Sequence, residues 1–237
     1  MDKKYNIFNL AEDQGNAKIC QYLSLNNFLT HLKRQQFYVR RKNLFDDVNE
    51  KVLPIKLLFK PIAATKTLSP EERISFITSV KVQSEKLTQY KDLSNCFVSC
   101  WTLNTDYNNF MWDTYASKYG VCVISTIFDV IASFRHKDFQ EYDVYSAPVL
   151  YEEPSYDDEP EDLLFVKRPL YRMESELRFL FRPKNKEVSS KENIWLYYDP
   201  KVMIDDVILS PFWSSQAASF IKTCIEENFG IRVRCSR

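Results

Sequence analysis

The segment Glu174-Ser175-Glu176-Leu177-Arg178 carries the densest chemistry in the chain. At the two-residue period of a strand, Glu174, Glu176, Arg178, Leu180 and Arg182 share one face, and Ser175, Leu177, Phe179 and Phe181 share the other. Two carboxylates and a guanidinium on one face can orient a ribose hydroxyl, accept a proton or stabilise developing positive charge. The same pattern also describes a salt-bridged strand facing solvent. The alternation predicts that Ser175, Leu177, Phe179 and Phe181 pack in the core, because a one-residue slip would bury the charges instead. Arg178 follows Glu176 on its own face, where it can hold that carboxylate ionised and oriented. Glu176 is therefore the leading catalytic candidate, with Glu174 and Arg178 beside it.

Other groups could contribute. An acidic cluster contains Asp46, Asp47 and Glu50, and reads equally as a solvated turn. In Phe110-Met111-Trp112-Asp113-Thr114-Tyr115, helical spacing puts Trp112, Tyr115 and Tyr119 on one face, as the wall of a flat-ligand site or as core packing. Arg40-Arg41-Lys42 and Arg232-Val233-Arg234 could meet phosphates or simply be solvated.

Several classes of site are excluded. Three glycines, Gly15, Gly120 and Gly230, cannot build a dinucleotide fingerprint or a P-loop, in which backbone amides must approach phosphates with no Cβ in the way. The six cysteines form no Cys-x-x-Cys pair and only His31 and His136 could assist them, so no metal site is expected. Lys+Arg and Asp+Glu balance at 32 each, which provides no global footprint for nucleic acid or an anionic membrane. A metal-dependent nuclease is disfavoured further, since its Glu-x-Lys element is replaced by Glu174-Ser175-Glu176.

The elements that must position these residues can be read from pattern. Ser24 caps a helix with Leu25, Phe28, Leu29 and Leu32 at helical spacing, and Phe37-Tyr38-Val39 is a short β-prone run. Ser69-Pro70-Glu71-Glu72 starts a helix reaching Leu87. Strands are expected over 97–102, 121–125, 144–151 (an edge, because of Pro148), 194–198 and 207–210. Helices are expected over 108–119, stopped by Gly120, over 127–134 and over 214–228, stopped by Gly230. Residues 152–162 read as an acidic surface loop. With 45% apolar and 15% aromatic residues, the 237-residue chain can bury a sizeable core. We expect a single α+β domain, a mixed β-sheet flanked by helices, with a helical part over about 1–92 packed on a sheet-rich part over about 93–237. No signal or membrane-spanning run is evident. A cytoplasmic location with reduced thiols follows as an expectation.

These segments together resemble a bacterial family catalogued as domain of unknown function twenty-nine seventy-one. The resemblance rests on an ordered set. Asp47 and Glu50 match an Asn-Asp-Pro-Phe-Glu-like motif that here reads Asp46-Asp47-Val48-Asn49-Glu50, and Ser99-Cys100-Trp101-Thr102 matches a central strand. Met111-Trp112-Asp113-Thr114-Tyr115 with Gly120-Val121 matches a helix and turn, and Lys167 with Glu174-Ser175-Glu176-Leu177-Arg178 matches a late Glu-x-Glu-x-Arg motif. Asp205-Asp206-Val207-Ile208-Leu209-Ser210-Pro211 resembles the closing strand. What the resemblance implies is a role in bacterial or phage conflict.

Two functional expectations follow. The order of an early polar strand residue, a central Ser/Thr or Tyr strand and a late Glu-x-Glu is similar to that of ADP-ribosyltransferases, which cleave NAD at the nicotinamide–ribose bond. Arg40 or Arg41, Ser99 with Thr102 or Tyr115, and Glu174 with Glu176 occupy that order here. NAD would be substrate, with no tightly bound cofactor, and Trp112, Tyr115, Asp47, Glu50, Arg40, Ser99 and Thr102 would line its site. The alternative is a non-catalytic sensor, immunity or anti-defence protein that binds a protein partner and holds a structural Glu/Arg network.

Overall fold

Runs rich in β-branched and aromatic residues become the central strands of a mixed sheet. The structure is a computed structural model and describes residues 15–44, 71, 95–106, 108–152, 162–185 and 191–236. Its strands are β1 (Lys18–Leu23), β2 (Gln36–Arg41), β3 (Phe97–Thr102), β4 (Val121–Thr126), β5 (Tyr142–Pro148), β6 (Leu150–Tyr151), β7 (Val166–Lys167), β8 (Glu176–Pro183), β9 (Asn193–Tyr197), β10 (Asp206–Leu209) and β11 (Val233–Cys235). Its helices are α1 (Leu25–Arg34), α2 (Asn109–Tyr115), α3 (Ile127–Ser133), α4 (His136–Glu141), α5 (Pro200–Met203) and α6 (Ser215–Phe229). Among the described residues nine strands join in one sheet, ordered β11-β10-β4-β1-β3-β2-β9, with β8 on the other edge of β3 and β5 beyond it. Every pairing in it is antiparallel except β10 with β11. β6 and β7 pair separately, in parallel.

Register sorts the side chains. Phe97, Ser99 and Trp101 of β3 stand opposite Phe181, Phe179 and Leu177 of β8, on the face that carries the main core under α1, α3 and α6. Val98, Cys100 and Thr102 stand opposite Leu180, Arg178 and Glu176 on the other face, where α2 packs. Helices thus flank the sheet on both sides within a single domain.

β3 also has an irregular edge. β8 pairs along all of it, whereas the opposite edge is shared: β1 meets it at Cys20↔Thr102, and β2 at Arg40↔Val98 and Arg41↔Phe97. Ser99, Cys100 and Trp101 lie between the two contacts, where β1 has peeled away into α1 and β2 has yet to join. The sheet is therefore split along the middle of β3. Gln21 bridges the gap by donating from Nε2 to the Cys100 carbonyl at 3.1 Å, in place of a ladder bond.

Most local expectations agree with these elements. Ser24, Asn108, Thr126 and Ser214 cap helices through their side chains, and Gly230 ends α6 with φ +65°. Pro148 ends β5, an edge strand of the sheet. Other elements differ. β1 and β2 come from the part expected to be helical, and both join the main sheet. Leu29 is exposed, and α1 buries His31 alongside Phe28 and Leu32. The helix expected to reach Tyr119 ends at Tyr115, because Ser117 and Lys118 take positive φ (51° and 64°), a region helical residues cannot use. The helix expected over 69–87 and the acidic run over 152–162, apart from Glu71, Glu152 and Asp162, lie outside the described residues.

Gly120 acts through close approach and not as a cap. A Cβ there would overlap the carbonyl oxygens of Leu23 and Ala116, both of them backbone atoms. Gly120→Ala should therefore destabilise the fold by about 2 kcal/mol or more, since neither obstacle can rotate away. A urea midpoint equal to that of the wild type would refute this close-packing role.

Candidate functional site

The charges at the start of β8 do not face solvent. Lys167, Glu174, Glu176 and Arg178 are all at most 8% exposed. The chain segment 162–174 folds back over that face of the sheet, bringing Lys167 on β7 and the Leu164 carbonyl onto it. Arg178 donates from Nε to Glu176 Oε1 at 2.6 Å, from Nη2 to Glu176 Oε2 at 3.2 Å, and from Nη1 to the Leu164 carbonyl at 2.7 Å. Lys167 Nζ donates to Glu174 Oε2 at 2.6 Å and reaches Glu176 Oε2 at 3.4 Å. The Tyr115 hydroxyl donates to Glu174 Oε1 at 2.8 Å, and the Glu176 N–H donates to the Tyr151 hydroxyl at 2.7 Å. Two cations and two anions thus form one buried, charge-balanced network.

Glu174 reaches it differently from expectation. It ends a 3₁₀ segment, Pro169–Glu174, and Ser175 turns the chain with φ +43° before β8 begins. The two glutamates meet at Lys167 because of that left-handed turn, not through strand alternation. Ser175 is consequently half-buried in the turn, while Leu177, Phe179 and Phe181 occupy the core as expected.

Proton affinities follow from these contacts. Burial alone would raise the Glu176 carboxyl, but the Arg178 guanidinium, with Lys167 and a Cys100 thiol hydrogen bond assisting, outweighs it and holds the group at about 2. Burial and the neighbouring Glu174 carboxylate push the Tyr115 phenol well above its ordinary range, so it stays a donor. Burial, supported by both glutamates, pushes Tyr151 up to about 12. His31 is lowered by burial to about 4.

A cleft of about 810 Å³ opens over this network and runs into the split in the sheet. Tyr115, Lys167, Tyr171, Glu174, Glu176 and Thr102 line one end; Gln21, Ser99, Cys100 and Arg40 line the middle; Tyr38, His31 and Trp195 line the other. Its size lies within the range of small-molecule sites. The structure therefore brings together Glu174, Glu176, Tyr115, Thr102, Ser99 and Arg40. Arg178 lies beneath, acting through Glu176.

Trp112 is a correction. It is 2% exposed, packed edge-on against Tyr22 at 4.9 Å among Cys20, Met111, Ala116, Cys122 and Ile124, and does not line the cleft. One helical turn separates it from Tyr115, but α2 lies on the sheet with Trp112 inward and Tyr115 at its margin. Asp47 and Glu50 lie outside the described residues. Tyr151, Tyr171, Tyr38, His31 and Trp195 escaped sequence reasoning. They belong to ordinary amphipathic or aromatic runs, and only the sheet order collects them. Lys167 was visible solely through the family motif.

Among the described residues, no group of three or more His, Cys, Asp or Glu side chains is placed to hold a metal ion, and no helix is long and apolar enough to cross a membrane. All six cysteines are free thiols. No protein-family model, curated protein or solved structure matches the chain.

Two tests follow. Removing one partner of a buried ion pair strands the other, so Glu176→Gln or Arg178→Met should each cost about 3–5 kcal/mol, while the double variant should cost much less than their sum. Additive losses in denaturant titrations would show that the pair is not coupled. Acid should act in two stages. Between His31's ordinary 6.5 and its folded value of about 4, the unfolded chain takes up a proton that the folded chain refuses, so stability falls as pH drops through that window. Glu176 contributes fully above its ordinary 4.5, and that contribution is lost as pH falls towards about 2. Each stage has a limiting slope of about 1.4 kcal/mol per pH unit. His31→Gln should abolish only the upper stage; an unchanged profile would refute its burial as a neutral imidazole.

Proposed function

We propose that the chain is an ADP-ribosyltransferase-type enzyme that cleaves the nicotinamide–ribose bond of NAD in the cleft at the split sheet. The observation that carries this reading is an ionised carboxylate, Glu176, oriented by Arg178 on the floor of a cleft also lined by Glu174, Thr102, Ser99 and Arg40. In the reaction the C1′–N bond breaks and the pyridinium nitrogen keeps the electron pair, so nicotinamide leaves neutral. Positive charge passes to the ribose C1′ and ring oxygen. Glu176 stabilises that charge and orients the ribose hydroxyls, and water or an acceptor nucleophile adds at C1′ while Glu174 takes its proton. Tyr115 holds Glu174 and borders the same end, where its ring can cover nicotinamide.

The family resemblance supports the same grouping, since its late lysine and its Glu-x-Glu-x-Arg motif are the four residues of the buried network. A role in bacterial or phage conflict goes with that resemblance and is proposed with it.

One observation favours a second reading. Both Glu176 oxygens are already bonded by Arg178, and Lys167 adds a second cation, which leaves the network electrically satisfied. In that reading the chain is a non-catalytic sensor, immunity or anti-defence module whose network is structural. NAD turnover by wild type, Glu176→Gln and Glu174→Gln separates the two, with folding checked by thermal melting. Loss of a positioned electrostatic stabiliser should cost Glu176→Gln about 10²–10³ in rate. Equal turnover in wild type and Glu176→Gln removes the catalytic role. Absence of NAD binding by wild type in calorimetry replaces the enzyme with the second reading.

A further inference from the structure

The end of the cleft farthest from the carboxylates has its own chemistry. Trp195 of β9 and Tyr38 of β2 are cross-strand neighbours, their rings edge to face at 5.1 Å. His31 of α1 meets Trp195 edge-on at 6.0 Å, and the Arg34 guanidinium lies over the indole at 5.0 Å. All three rings line the cleft. We propose that this aromatic corner is a purine-base subsite and that a purine nucleoside monophosphate binds there by itself. The proposal rests on the reading of the cleft as a nucleotide site, but not on any bond being cleaved in it.

Three observations carry it. The first is span. β8, β3, β2 and β9 are successive neighbours, so Glu176 and Trp195 are separated across the sheet by at least three strand spacings, about 14 Å. One nucleoside bound at the carboxylates cannot fill that length, whereas a second base joined through phosphates can. Arg40 lies between, on β2 and on the same face as Tyr38, where a phosphate bridging the two ends would pass.

The second is the kind of surface. An indole and a phenol ring, with a guanidinium over the indole, present the flat polarisable walls on which bases stack. Arg34 brings a guanidinium to this corner, whereas the carboxylate end is charge-balanced. A phosphate-bearing base is favoured here over a neutral aromatic.

The third is His31. It is 7% exposed and borders the cleft. Burial keeps the imidazole neutral near physiological pH, so it offers one donor and one acceptor. That pairing matches the alternating donors and acceptors on the edge of a purine.

Calorimetry on the full chain tests the subsite with AMP and ribose 5-phosphate as probes. AMP should bind the wild type and ribose 5-phosphate should bind far more weakly. Trp195→Ala and Tyr38→Leu should each weaken AMP by about fivefold to a hundredfold, the value of one base–aromatic stack, while Trp195→Phe retains most of the affinity. Thermal melting identifies any variant that fails to fold, and two independent walls keep the test decisive. Unchanged AMP affinity in either folded variant, equal binding of both probes, or no AMP binding by wild type would overturn the subsite. The outcomes also separate it from the catalytic reading. Trp195-dependent AMP binding without NAD turnover defeats the enzyme and leaves the subsite standing. NAD turnover with an unchanged KM in Trp195→Ala does the reverse.

Discussion

The bond between Arg178 and Glu176 constrains more of this structure than any other. Both residues sit on a strand whose two faces are buried, so neither charge is freely hydrated. An isolated ion there would cost several kcal/mol in lost hydration, and mutual attraction offsets that only when the remaining donors and acceptors are also satisfied. They are satisfied by separate pieces of chain: the Leu164 carbonyl takes an Arg178 proton, Lys167 approaches the second Glu176 oxygen, and Tyr151 accepts the Glu176 N–H. The fold-back of residues 162–174 over β8 thus both covers the two charges and supplies the partners that their burial demands. A solvent-facing β8 would need none of these partners.

The second constraint is the shared edge of β3. Two strands running in the same direction cannot both pair along the same six residues, so β1 takes the Thr102 end, β2 takes the Phe97 end, and α1 carries the chain between them. Backbone groups in the middle then need other partners, and Gln21 supplies one through its side-chain amide. A break in the ladder opens a cavity whose walls come from both departing strands. This explains why residues remote in sequence, Thr102, Arg40 and Trp195, border one cleft.

Legibility in the sequence follows from which interactions are local. β3 was readable to the residue, and β4, α3 and α6 to within one residue at either end, because their signals are an apolar run, a capping side chain and a glycine stop. The alternation in β8 revealed its faces, with Leu177, Phe179 and Phe181 inward. It could not reveal that the charged face is covered too, because the cover comes from a segment with no strong pattern of its own. Trp112 and Tyr115 illustrate the same limit. Helical spacing places them on one face, yet only the seating of α2 against β1 and β4 decides that Trp112 is core and Tyr115 borders the cleft. β1 was missed because Lys18-Ile19-Cys20-Gln21-Tyr22-Leu23 alternates too weakly to stand out from its flanks, and its pairing with β4 supplies what its propensity lacks.

Lys167 shows how slight an element can position the group on which the charge balance depends. β7 is two residues long and would not persist alone, but Tyr151↔Lys167 pairs it with β6, and the Glu152 N–H donates to the Lys167 carbonyl at 3.1 Å. β6 is itself placed by the end of β5, where Val149 N–H donates to the Glu176 carbonyl at 2.8 Å. The chain therefore closes a loop of dependencies. β8 anchors the Pro148 corner, the corner places β6, β6 holds β7, and β7 returns a lysine to the carboxylates at the start of β8. The Tyr171 ring beneath Lys167 Nζ, at 4.5 Å, completes the setting by occupying the cation's open side. A lysine delivered by backbone pairing keeps its ammonium between Glu174 and Glu176. That placement leaves the carboxylate end of the cleft closed below by charge and open above to a ligand.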